Sequence, residues 1–436
     1  MPLQFTRSRL MSLPETDTFV MAVSILRSES RVPSAQSLHN SHAVQSLMSC
    51  TLGALLLAAA GVQSTKWRSV AVTVALTALL ALALIAPLPS DRFVMGDGSS
   101  IVQDRGNFDD LVAHGARVVR FSAHLAYRLL GRFDAALGST ADSPVEAYRM
   151  LSWLAGLVFA VTLWCLAATE RWSLRSVRYT ALALMAPATL MYFGYLEVGY
   201  LSLSAAAFPF ISRDLMTDRD LTIGVVVGAI LFGLGAAMHG IGYLSIAALF
   251  FAVIADDRPI QTRVVLATAL SGIAIAAALI WVWYYLSVLG LDVIPGHAAG
   301  GFILRPLSQE REAEGRILYP LLSLVTARDI FLSGVIAGLP LVLVTLFVRQ
   351  RSPREARFAL AFSIPCAIAF LLFWPVQGIA IEMDMIVALF PAVFALLWVA
   401  AASLRASIAS AALLVLGHAV FWWVVLDDRF INRMLR

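Results

Sequence analysis

Charge is what this sequence has least of. Asp, Glu, Lys and Arg make up 14% of its 436 residues, while 60% are hydrophobic. A soluble domain carries about 25% charged and about 45–50% apolar residues, so the composition points away from that class. Cysteine is scarce too. Cys50, Cys165 and Cys366 each lie inside an apolar run, with neither the pairing of a disulfide framework nor the spacing of a zinc site. The net charge of +4 is spread over short loops and forms no continuous basic face, so nucleic acid is not an expected partner. Segments of about ten residues with alternating polarity, which mark a membrane β-barrel, are missing. So is an apolar stretch leading to a small-residue cleavage site near the start, and no secretory signal peptide is read.

What is there is a succession of apolar runs, with a mean hydropathy of +0.81. In lipid, only a helix satisfies all its backbone hydrogen bonds within one segment. Crossing about 30 Å of hydrocarbon takes about 17–25 residues. Runs close to that length are Ala43–Gln63, Val70–Ala86, Leu151–Thr169, Val177–Phe193 and Leu221–Met238. They continue with Val264–Leu289, Ile330–Val348, Phe358–Pro375, Met385–Leu404 and Ile408–Leu426. Leu196–Ile211 and Ile241–Ile254 are shorter. The expected fold is an all-α polytopic membrane bundle of about 11–12 transmembrane helices. Residues 1–42 form a polar tail expected to be disordered. Residues 43–289 form an N-terminal membrane module, with a first outer loop at 87–150. An outer loop at 290–329 and C-terminal membrane helices at 330–436 complete the division.

Basic residues set the orientation. Lys66 and Arg68, then Arg171, Arg175 and Arg178, fall in short loops or at their edges. Arg213 and Arg219, Arg258 and Arg263, Arg349 to Arg357, and Arg405 follow in the same way. Every second loop is therefore short and basic and is expected to be cytoplasmic. The alternation holds from Val70 onward. Ala43–Gln63 conflicts with it, because a span there would leave the arginine-bearing N-terminus outside; that segment lies in the interface or joins the core. The remaining loops face outward. One of them, Asp104 to Asp134, repeats apolar residues at helical spacing with Arg117, Arg120, Arg128 and Arg132 between them. That pattern suits either a headgroup-region helix or a charged face packed on the bundle.

The polar chemistry collects in the outer loops. Asp97, in Gly96-Asp97-Gly98, is a carboxylate left uncrowded by glycine. At the membrane edge its proton affinity is expected to rise, which suits proton abstraction from a hydroxyl; a plain Asp turn is the other reading. Glu197, within Tyr192-Phe193-Gly194-Tyr195-Leu196-Glu197-Val198-Gly199-Tyr200, falls at the outer boundary, where an ionised group needs a partner or water. The tyrosines there, Tyr195 among them, also fit an interfacial aromatic belt. His239 ends the sixth run. Glu382 and Asp384 precede the eleventh run, as helix-capping acids or as a pair for hydroxyls or a metal. The loop Leu291 to Asp329 adds Arg305, Arg316 and Arg328, whose forked guanidinium suits phosphate.

Taken in order, these motifs resemble the GT-C superfamily of integral-membrane glycosyltransferases. Gly96-Asp97-Gly98 follows a leading helix, as the family's catalytic aspartate does. Phe193-Gly194-Tyr195-Leu196-Glu197-Val198-Gly199-Tyr200 is similar to the FGYVE-x-x-Y stretch of one bacterial branch. Met238-His239-Gly240 matches that branch's histidine. Glu382-Met383-Asp384-Met385 resembles its D-W-D-L, with glutamate for the first acid and methionine for tryptophan. The resemblance runs from about Val70 to Leu404. It implies a multi-pass plasma-membrane enzyme with its active site on the extracytoplasmic face. The donor would be a polyprenyl-phosphate-linked sugar and the acceptor a glycan or lipid hydroxyl. Asp97 would be the general base, with Tyr195, Glu197, His239, Glu382 and Asp384 around the substrate and Arg305, Arg316 or Arg328 on the donor phosphate. No cofactor is assigned; a divalent cation beside Asp97 stays open. No Gly-rich nucleotide fingerprint is present, which suits a lipid-phosphate donor. A transporter or flippase for a lipid-linked substrate is the alternative.

Overall fold

The structure, a computed structural model, describes residues 35–85, 144–192, 211, 213–215, 222–238, 242–289, 324–349, 353–372 and 389–426. Among these residues there is helix and no strand. The order is α1 (Ala35–Ala59), α2 (Thr65–Ile85), α3 (Pro144–Thr169), α4 (Leu174–Met185), α5 (Pro187–Tyr192), α6 (Ile223–Met238) and α7 (Gly242–Ile254). Then come α8 (Ile260–Leu289), α9 (Leu324–Ala337), α10 (Leu341–Val348), α11 (Pro353–Leu372), α12 (Phe390–Ala400) and α13 (Leu404–Leu426).

Local chemistry explains where helices start and stop. Proline opens α3, α5 and α11, where its missing N–H has no intrahelical partner to lose. Ser173 caps α4 by accepting the Ser176 amide at 3.1 Å. The apolar run Val177–Phe193 is not one rod. Ala186 is held extended, at φ −67° and ψ 130°, before Pro187, whose ring disfavours a helical predecessor; α4 ends there and α5 restarts. The run Ile330–Val348 is also broken, with α9 and α10 bent by 59°. Gly338 takes φ +83°, its amide bonds the Val335 carbonyl at 3.1 Å, and the Leu339 amide bonds Gly334 at 2.8 Å. This is a Schellman stop, and Pro340 follows it.

Two stretches, Ile260–Ile280 and Leu404–Phe421, are long and apolar enough to cross a membrane, and the bent pair α9–α10 makes a third if it counts as one span. Those counts refer to the described residues. The surface agrees with their composition. On α8, Val264, Val265, Leu279, Ile280 and Trp283 are exposed, and Phe347 on α10 is 82% exposed. Water would penalise continuous apolar faces of this size.

Packing depends on close approach. A Cβ on Gly53 would fall 2.1 Å from the Met185 Cγ, and one on Gly233 2.0 Å from the Ala274 carbonyl oxygen. Glycine thus lets α1 lie against α4 and α6 against α8, the small-residue packing that membrane helices use in place of a hydrophobic drive. Rings fill the interior: Phe159 meets Phe394 edge-on at 5.4 Å, and Phe232 stacks on Phe362 at 6.2 Å. Core hydroxyls such as Thr180 and Ser363 donate to carbonyls four residues back.

α1 begins at Ala35, inside the stretch expected to be tail, and it joins the core. Ser49 bonds the Leu184 carbonyl while Gly53 abuts Ala181, so α1 runs antiparallel to α4.

Candidate functional site

The short basic loops gather at one end of the bundle, and acids that the sequence analysis did not single out hold them there. Arg175 at the start of α4 forms a two-pronged pair with Glu355 at the start of α11, at 2.7 and 2.6 Å. The same guanidinium donates to the Trp398 carbonyl near the end of α12 and lies 4.5 Å over the Trp398 ring. Asp256, after α7, receives Arg354 on both oxygens at 2.8 and 2.9 Å and Arg258 at 3.2 Å. Arg354 and Arg258 also donate to the Leu215 carbonyl. Arg213 bridges Glu170 and Asp214, and Asp214 accepts the Thr222 hydroxyl just before α6. Arg357 pairs with Asp257 at the surface. The signal for this network lay in Asp256-Asp257-Arg258 and Arg354-Glu355, where both signs stand side by side.

The charged end fixes where the helices lead. α4, α6, α8, α11 and α13 all start beside it, and α3, α7 and α12 end beside it. At about 1.5 Å per residue, the other ends of the longer helices lie some 20–45 Å away. α2 and α3 are antiparallel, since Trp164 bonds Thr73 and Trp153 bonds the Leu80 carbonyl. Ile85 and Pro144 therefore share the far end. α6 and α7 meet there in a tight connection, where a Cβ on Gly242 would fall 2.6 Å from the Ala236 backbone.

The described helices that precede the expected outer segments all run away from the charged end. Asp97 lies between Ile85 and Pro144. Tyr195 and Glu197 follow Tyr192, and His239 lies between Met238 and Gly242. Arg305 and Arg316 lie between Leu289 and Leu324, and Glu382 and Asp384 between Leu372 and Leu389. These residues themselves, with the Asp104 to Asp134 loop, are outside the described residues. Arg328 is described: it is exposed, in α9, about 30 Å of helix path from the charged end. Among the described residues no group of His, Cys, Asp and Glu is placed to hold a metal.

A second polar cluster was not singled out in the sequence. The break after α4 exposes its last carbonyls to side chains, though Ala183 still accepts the Ala186 amide. Three side chains from three helices meet them. Thr189 of α5 bonds Ala183, Ser49 of α1 bonds Leu184, and His418 of α13 bonds Met185 at 2.9 Å. An ionisable residue inside an apolar run was the available signal for His418. Neither a known protein family, nor a curated protein, nor a solved structure matches the chain.

Proposed function

We propose that the chain is a multi-pass plasma-membrane glycosyltransferase of GT-C type, an inverting enzyme working on the extracytoplasmic face. It moves a sugar from a polyprenyl-phosphate donor to a glycan or lipid hydroxyl. Asp97 takes the acceptor's hydroxyl proton as the oxygen attacks the anomeric carbon. The bond from that carbon to the phosphate oxygen breaks, and arginine among Arg305, Arg316 and Arg328 offsets the charge on the departing phosphate. Tyr195, Glu197, His239, Glu382 and Asp384 bind the sugars. The observation that carries the reading is the gathering of the basic loops at one end by Arg175–Glu355 and Asp256–Arg354. With that end cytoplasmic, the helices that precede the candidate acids in sequence run towards the opposite face, which supports the reading.

Asp97→Asn tests it. The variant is expected to express and fold like wild type and to lose transfer of sugar from a polyprenyl-phosphate donor in isolated membranes. Wild-type rates overturn the reading.

One observation favours the alternative, a transporter or flippase. Interrupted helices meeting inside a bundle are how many carriers build a substrate site, and the α4–α5 and α9–α10 breaks both approach α13. Movement of a lipid-linked sugar across vesicles without chemical change would select it.

A further inference from the structure

His418 lies about 21 Å along α13 from its charged start. It is 4% exposed, at a depth where an apolar side chain would be expected. Its neighbour Gly417 shows what surrounds it. A Cβ there would lie 3.1 Å from the Val335 carbonyl oxygen, 3.3 Å from the Pro187 ring and 3.5 Å from the Ile336 carbonyl oxygen. The first and third belong to the last turn of α9, just before the Gly338 stop. The second opens α5. Both interruptions in the bundle therefore meet at this one turn of α13.

The ring's protonation follows from its partner. A carbonyl only accepts, so the 2.9 Å contact with Met185 puts a proton on Nε2. A second proton on Nδ1 would make a cation in the apolar interior. The carboxylates whose side chains are described, Glu170, Asp214, Asp256, Asp257 and Glu355, are all at the charged end and cannot neutralise it. Nδ1 is therefore a lone pair, and it is buried with no partner. An acceptor left so is costly, because burial has removed the water it would otherwise bond.

We propose that His418 Nδ1 is the acceptor of an intramembrane site for a neutral hydroxyl, either water or the hydroxyl of a small alcohol or sugar. The hydroxyl donates to Nδ1 between the two helix breaks. The site is independent of the sugar-transfer reading.

The test uses the full chain, labelled with nitrogen-15 in histidine and placed in lipid nanodiscs. His418→Gln keeps a donor for Met185 and removes Nδ1, so the signal it abolishes is the one to follow. Nuclear magnetic resonance is expected to show a neutral ring protonated on Nε2, with Nδ1 shifted as a hydrogen-bonded acceptor. Magnetisation reaches Nδ1 from water protons if water is the occupant, and from glycerol added in heavy water if an alcohol enters. A free-acceptor shift with transfer from neither, a proton on Nδ1, or an imidazolium overturns the proposal. Should His418→Gln fail to fold, an experimental density map decides. A peak within hydrogen-bonding reach of Nδ1 supports the site; apolar side chains filling that position overturn it.

Discussion

At the scale of single residues, Asp256 is the most committed charge described. Its side chain is 5% exposed and takes three bonds from Arg354 and Arg258. A buried ion pair as a whole contributes little over an apolar substitute, because desolvating both charges offsets their attraction. Removing one partner is different, since the survivors stay buried without compensation. Asp256→Ala is expected to cost about 3–5 kcal/mol of stability, read as a lower unfolding midpoint in detergent. Asp256→Ala with Arg354→Ala should recover part of the loss, because one of the two orphaned guanidiniums is gone. Equal losses in the single and double variants would show that the pair does not act as a unit.

At the scale of elements, the closest seam described is Gly233 against Ala274. A valine at Gly233 cannot enter without separating α6 from α8, because the atoms it meets are backbone. Gly233→Val is therefore expected to reduce folded yield sharply, whereas Gly272→Ala, with nothing within 4 Å of its added carbon, should leave yield unchanged. The comparison is made by monodisperse recovery from the same membranes. Elements were also what the sequence disclosed best. The apolar runs Leu221–Met238 and Ile408–Leu426 each appear as a helix with an edge moved by a few residues. Val177–Phe193 and Ile330–Val348 appear as two pieces each. A count of apolar residues does not weigh Pro187, or the pair Gly338 and Pro340, against the run's length. His418 escaped for a related reason: pattern alone gives an isolated histidine no partner, and the one it has, Met185, lies far off in sequence on another helix. The candidate acids are motifs in the sequence that fall outside the described residues; only the helices that flank them are placed.

At the scale of the whole molecule, the arrangement predicts sidedness. A cysteine at Arg405, exposed at the charged end, should react with an impermeant maleimide only after the membrane is opened. A cysteine at Ser100, beside Asp97, should react in intact cells. The reverse pattern would invert the bundle and remove the enzyme from the proposed face. α1 fits the same scheme. It lies antiparallel to α4, which Ser49 and Gly53 face, with its start at the far end.

The strapping of one end bears on how the bundle can move. Three turns are lashed together there through Glu355, Asp256 and Asp257, so relative movement of these helices is expected to grow with distance from that end. A catalyst filled and emptied from one side tolerates such a hinge; a carrier must part both ends in turn. Joining cysteines at Asp257 and Arg357 with a short bismaleimide makes the strap permanent. Turnover should survive that suture, and exchange across a vesicle wall should stop.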